Sequence, residues 1–384
     1  MLYKTLGATD LRVSAIGQGA THVGSYARYD DCAAGERIKG WRIGIDLGMN
    51  LIDTADMYGG GLSEELVGKA VKGIRDKVVL ATKFNPRGGD TCSAVLAAAE
   101  GSLRRLDTDR IDLYQIHFPN PLIPVEPVVE ALTRLVSDGK VCHVGVSNFT
   151  TEDMQEVRGL FPPGIVSNQV EYNLVDRSPE TEMLPYCRQN RITMIAYSPL
   201  GQGNLPLPQT SLQCLKAMAE KYQKSLFQLA LRWAISKPNV IALTKASDAG
   251  HIRENAAATS FEIDPDDLAM IDGLATPEVV HVHAEEISLD SPDGRPTYAS
   301  LEEALRNAAD LVPSPEMMAG DIVRHRSVKP IRLTSFNDPR GQYLYRLDPY
   351  DFLGQLRKYW AWVIAYEETK PIPALVISQN IRSV

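Results

Sequence analysis

The chain has 384 residues, 44% hydrophobic and 23% charged, with a formal net charge of −8; these values exclude disordered and fibrous classes and predict a large folded domain plus a smaller one. The acidic balance repels phosphate backbones, so nucleic acid is not an expected partner. No run of about 18 uncharged apolar residues occurs, Met1 opens without a leader-like segment, and the five cysteines (Cys32, Cys92, Cys142, Cys187, Cys214) never form a C-x-x-C pair, so the expectations are no membrane span, a reducing cytoplasm, no disulfide framework and no metal site.

In chain order, residues 3–6 and 11–14 flank Gly7-Ala8-Thr9-Asp10 and read as a hairpin able to plug the base of a barrel. Eight pairs of a short apolar strand and an amphipathic helix follow. The strands are expected at 15–17, 50–53, 78–83, 111–117, 141–146, 165–169, 193–197 and 240–244. The paired helices are expected at 36–47, 63–72, 92–106, 125–138, 151–160, 179–190, 211–222 and 249–258, with an extra helix at 225–236. Strands apolar at nearly every position belong to a parallel sheet buried on both faces. Eight such units in roughly 260 residues fit an α/β fold of the (β/α)8 TIM-barrel type better than an open doubly wound sheet. Gly17-Gln18-Gly19 is expected in the turn leaving the first strand, because His22 stands where a dinucleotide fingerprint would need its third glycine.

Chemistry in such a barrel sits where the strands end. From the second strand to the eighth, those ends carry Asp53, Lys83, His117, Ser147 with Asn148, Gln169, Tyr197 and Lys245. Tyr58 follows the second strand in a loop loosened by Gly59, Gly60 and Gly61. Carbonyl reduction needs a proton at the oxygen as hydride reaches the carbon, and a phenol with an ordinary pKa of ~10 is a poor acid at neutral pH. Lys83 is expected to lower that pKa, Asp53 to hold the lysine charged and oriented, and His117 to hydrogen-bond the substrate oxygen.

The runs Leu51-Ile52-Asp53-Thr54-Ala55-Asp56-Met57-Tyr58-Gly59, Leu80-Ala81-Thr82-Lys83, Asp112-Leu113-Tyr114-Gln115-Ile116-His117, Gly145-Val146-Ser147-Asn148-Phe149 and Ala196-Tyr197-Ser198-Pro199-Leu200-Gly201 together resemble the aldo-keto reductases. The resemblance extends from Leu2 to about Leu274 and implies NADPH as cofactor, Tyr58 as general acid and no catalytic metal. It further implies that Ser147, Asn148 and Gln169 hold the nicotinamide carboxamide and that Tyr197 stacks on the ring. By the same likeness Ser198, Leu200 and Gly201 line the pyrophosphate, Lys245 and Ser247 face the 2′-phosphate, and Glu254 with Asn255 faces the adenine. Where many members carry an arginine three residues before that glutamate, this chain has His251, with Arg253 nearby; NADPH is expected ahead of NADH.

Substrate contacts are expected from His22, Tyr26, Phe84, Arg87 and Phe118 around the mouth. The short loop at 201–210 predicts a cofactor that exchanges without a long belt. Residues 1–276 are expected to form the barrel and 277–384 an appended α+β domain. In the latter, strands are expected at 279–284, 328–333 and 374–378, and helices at 300–311 and 352–366. That pattern, with Pro371-Ile372-Pro373, faintly resembles the ParB and sulfiredoxin-like fold. From Leu301 onward, 11 Lys or Arg nearly balance 10 Asp or Glu, and His281 with His283 makes too small a set for a metal site. The expected activity is hydride transfer between NADPH and an aldehyde or ketone, or alcohol oxidation in reverse; a homo-oligomer is compatible with it. The alternatives are a redox-sensing regulatory protein whose appended domain contacts a partner, and a bifunctional enzyme.

Overall fold

The computed structural model describes residues 1–21, 31–85, 91–119, 124–203, 205, 207–274, 279–282, 331–337, 342–348, 361–367 and 370–378. The chain divides into two compact units, of which the first comprises Met1–Pro119 and Ile123–Thr276 and the second includes Pro277–Val384.

In the first unit, β1 (Tyr3–Thr5) and β2 (Arg12–Ser14) pair as an antiparallel hairpin, with Tyr3 opposite Ser14. The parallel strands β3 (Ile16–Gly19), β4 (Leu51–Asp53), β5 (Val79–Phe84), β6 (Ile111–Ile116), β7 (Val141–Ser147), β8 (Ile165–Glu171), β9 (Thr193–Tyr197) and β10 (Val240–Thr244) close into a barrel, β10 returning to pair with β3. Between and after them lie α1 (Asp31–Asp46), α2 (Leu62–Val71), α3 (Thr91–Leu106), α4 (Val125–Ser137), α5 (Thr151–Leu160), α6 (Met183–Gln189), α7 (Gln209–Lys221), α8 (Leu226–Ser236), α9 (Ala249–Ala257) and α10 (Pro265–Asp272). This is the expected (β/α)8 barrel with its hairpin and the extra helix α8.

Strand alternation sorts the side chains into two sets. Leu51, Val79, Ala81, Leu113, Val166, Ile195, Ile241 and Leu243 fill the interior, and Leu6 and Val13 of the hairpin region close it from below. The plug sits so close that a Cβ on Gly7, at φ +54°, would lie 2.4 Å from the Val166 carbonyl oxygen. Lys4 pins the hairpin there, its Nζ donating to the carbonyls of Ile235, Lys237 and Val240, each at 2.7 Å. Outward-facing residues such as Leu80, Tyr114 and Val144 pack under the helices.

Three expectations need correction in this unit and the next. Gly17 and Gly19 lie within β3 rather than in a turn, and a Cβ on Gly17 would meet Leu243 at 2.8 Å, so packing inside the barrel accounts for that glycine. The helix α10 was outside the expected units, although Asp264 capping its start and Pro265 in its first turn are ordinary helix-start signals.

The second unit contains an antiparallel sheet in the order β11 (Val279–Val282), β12 (Ile331–Asn337), β13 (Gln342–Asp348), β14 (Ala361–Glu367), β15 (Lys370–Ser378). The helix expected over 352–366 is replaced by β14 from Ala361 onward, and its first part, 352–360, lies outside the described residues. The sequence Ala-Trp-Val-Ile-Ala-Tyr is apolar throughout, so periodicity does not separate helix from strand, and its β-branched and aromatic content favours the strand. The helix expected at 300–311 and His283 lie outside the described residues.

Candidate active site

The upper rim of the barrel carries a connected group of polar side chains. Asp53 closes β4, and its Oδ1 accepts from Lys83 Nζ at 2.5 Å. Lys83 is fully buried in β5; it donates also to the Thr54 carbonyl at 2.9 Å and lies 3.4 Å from the Tyr58 hydroxyl. Tyr58 opens a tight turn, Tyr58–Gly61, in which Gly59, Gly60 and Gly61 take φ of 60°, 65° and 99°. Left-handed backbone at three consecutive residues is accessible to glycine and strained for others, which is how the turn brings the phenol back over the strand ends. His117 follows β6, its ring edge-on to Tyr58 with centroids 5.7 Å apart and stacked on Phe118 at 4.5 Å. The four proposed catalytic side chains are thus together at one rim.

Their charges are set by burial and by each other. Burial is the largest influence on Tyr58 and raises its pKa; Lys83 pulls the other way and Asp53 pushes up, so lysine's expected effect has the right sign but does not win here. Burial also works against the Lys83 ammonium, yet Asp53 and the Tyr58 phenol overcome it and the lysine stays charged. His117 is held well below its usual pKa by burial and then by Lys83, which makes it a neutral imidazole. Its buried Nδ1 has no hydrogen-bond partner among the described residues. An unmet lone pair costs less than an unmet N–H, so the proton is assigned to Nε2.

The next three strand ends form a second chain of contacts. Ser147 Oγ donates to the Gln169 carbonyl at 2.9 Å, Asn148 Nδ2 donates to Ser147 Oγ at 3.1 Å, and the Tyr197 hydroxyl donates to Asn148 Oδ1 at 3.1 Å. Asn148 and Ser198 both have left-handed backbone, φ 61° and 47°, a local cost that tends to be kept where a site needs a particular orientation. Gly201 begins a tight turn after β9 and Leu200 packs on the barrel wall. At the end of β10, Lys245 and Ser247 are exposed, Asn255 is buried and Glu254 is half-buried on α9. Arg253 donates to its own helix at Ala249, 3.2 Å away. Asp248 caps α9, accepting from the amides of Gly250 and His251.

Phe84 does not line the mouth. It is fully buried and stacks on Tyr114 at 4.7 Å, because alternation along β5 turns it outward when Lys83 points inward. Phe118 is half-buried and supports the His117 ring. His22, Tyr26 and Arg87 lie outside the described residues.

Two neighbours of these side chains were not foreseen. Gln115, fully buried on β6, donates to Asp53 Oδ2 at 3.0 Å; its signal is a polar side chain two residues before His117, on the same face of an apolar strand. Arg37 on α1 stands near enough to Lys245 for its charge, after burial, to lower the lysine pKa. It lies one helical turn before Gly40, where a Cβ would be 3.6 Å from the Ser247 carbonyl oxygen.

Residues 15–276 match the Aldo/keto reductase family. The methylglyoxal reductase YeaE of Escherichia coli is 38% identical over 266 residues, covering 68% of this chain and 91% of that protein. The aldo-keto reductase YhdN of Bacillus subtilis is 34% identical, covering 70% and 91%. Among solved structures, the thermostable aldo-keto reductase Tm1743 with the inhibitor epalrestat superposes with a TM-score of 0.68 at 36% identity, covering 72% of this chain and all of that one. An aldo-keto reductase from Klebsiella pneumoniae in complex with NADPH gives 0.64 at 38% identity, covering 71% and 95%.

Proposed function

Because the chain belongs to the aldo/keto reductase family, we propose that it reduces an aldehyde or ketone with NADPH, with Tyr58 as general acid, and that the same site oxidises the alcohol in reverse. The observation that carries this reading is the contact series Asp53, Lys83, Tyr58, with neutral His117 beside the phenol. A protonated phenol next to a fixed ammonium is a donor whose conjugate base is stabilised as it forms. His117, with its N–H on Nε2, can hydrogen-bond the carbonyl oxygen and orient it towards Tyr58 without competing as an acid.

The donor set on the rim fits the cofactor. Ser147, Asn148 and Gln169 offer linked amide and hydroxyl groups suited to a carboxamide, and the half-buried Tyr197 ring offers a stacking face. Lys245, Ser247, Arg253 and Arg37 supply hydroxyl and cationic groups for the 2′-phosphate end, while Ser198, Leu200 and Gly201 suit the pyrophosphate and Glu254 with Asn255 the adenine. When bound, NADPH would supply the hydride. Tyr58 gives its hydroxyl proton to the substrate oxygen and is left as a phenolate facing Lys83; in the oxidation direction that phenolate takes the proton back.

The relative named a methylglyoxal reductase makes a small 2-oxoaldehyde the first substrate to try. Tyr58→Phe is expected to keep NADPH affinity within about threefold and to lower carbonyl-dependent NADPH oxidation by at least about 100-fold. A near-normal rate in a folded variant would reject the role of Tyr58.

A further inference from the structure

We propose that Gln115 is a positioning residue that leaves Gln169 able to offer the nicotinamide carboxamide only a hydrogen-bond acceptor. The inference rests on the reading of the rim as a nicotinamide site. Asp53 uses Oδ1 for Lys83 and has Oδ2 left for other donors. That oxygen accepts from two amides, Gln115 Nε2 at 3.0 Å and Gln169 Nε2 at 3.0 Å. Gln169 Nε2 also donates to Gln115 Oε1, at 3.4 Å. All three side chains are buried.

The inventory of a glutamine amide then decides what remains. It has two N–H donors and one carbonyl oxygen. An ionised carboxylate accepts only, so the nitrogens of both glutamines must face Asp53. Gln115 consequently turns its oxygen to Gln169 and occupies the second N–H there. Only Gln169 Oε1 is open to a ligand, and it answers an N–H of a carboxamide but not a ketone oxygen. Room for this arrangement comes from β7, where a Cβ on Gly145 would stand 3.2 Å from Gln115 Cγ and 2.4 Å from Ser167 Oγ. Strand register puts Gln115 directly beside both Lys83 and Gly145. Gln169 and Lys83 therefore lean on the two oxygens of one carboxylate, Oδ2 and Oδ1 of Asp53.

The test is equilibrium binding to the full chain, by titration calorimetry, of NADP⁺ and of its 3-acetylpyridine analogue, which has a methyl ketone in place of the carboxamide. The wild type is expected to bind NADP⁺ at least about 10-fold more tightly, because the analogue leaves Gln169 Oε1 without a donor. In Gln115→Met a Gln169 N–H is freed to meet the ketone, and the preference should shrink to about threefold. Equal binding of the two compounds by the wild type overturns the proposal without any variant. So does an undiminished preference in a Gln115→Met protein that melts like the wild type, or in Gly145→Ala, which displaces Gln115, should the first variant not fold. Binding of neither compound by the wild type would instead remove the cofactor reading beneath the proposal, and the proposal with it.

Discussion

A neutral imidazole, a charged ammonium and a protonated phenol occupy one rim, and each protonation state has a consequence in pH. His117 is held far below 6.5, its ordinary value, so the rate of carbonyl reduction should be flat from about pH 6 to 8; an inflection there, absent in a His117 variant, would contradict the assignment. In the proposed role of Tyr58 reduction uses its protonated form, so activity is expected to fall as pH rises through the phenol pKa. Lys83 lowers that pKa and burial raises it. Lys83→Met should therefore move the alkaline limb upward while cutting the rate by about 100-fold, and a limb that stays in place would remove lysine from the tuning role. At this scale the meeting of Asp53, Lys83 and His117 was legible because polar residues ending apolar strands stand out, and Tyr58 because it follows one such end by a short loop. Gln115 was not legible, since one amide inside an apolar strand carries no sign of its partners until Asp53 and Gln169 are brought to it. Phe84 misled for the opposite reason: adjacent to Lys83 in sequence, it faces the other side of the same strand.

The glycines on the helices differ sharply in what surrounds them. On α2, a Cβ at Gly68 would lie 2.6 Å from the Leu106 carbonyl oxygen at the end of α3, whereas beyond its own helix no described residue stands within 4 Å of the same atom at Gly159 on α5. Gly68→Ala is expected to destabilise by about 1–3 kcal/mol through overpacking, and Gly159→Ala to stabilise by about 0.5–1 kcal/mol through helix propensity; denaturant midpoints of the two variants read both signs. The seating of α1 against the loop after β10 brings the charge of Arg37 near Lys245. Arg37→Ala should weaken NADPH binding by about 10-fold and leave NADH unchanged, as expected for a charge facing a 2′-phosphate; equal loss for both would mark the residue as packing alone. Helix-strand alternation made the barrel legible from β3 to α9. It gave no guidance at β14, where an apolar run has no period to read, and α10 was overlooked because its short sequence is weakly amphipathic despite a clear cap.

At the scale of the whole molecule, every described residue assigned to the chemistry belongs to the first compact unit. Residues 1–276 expressed alone should retain NADPH affinity and carbonyl turnover within about threefold of the full chain. A loss of turnover with binding kept would favour a role for the antiparallel sheet of β11 to β15 in the reaction, and negligible turnover in both forms would favour the regulatory reading. The hairpin of β1 and β2 has a kinetic consequence as well. With Leu6 and Val13 sealing the filled interior and Lys4 clasping three carbonyls at that end, the barrel offers no passage from below among the described residues. On the proposed reading substrate and product meet Tyr58 from the opposite, strand-end side, so a product still seated there bars the next substrate, and a burst in the first turnover on rapid mixing is the expected sign that its departure limits the rate.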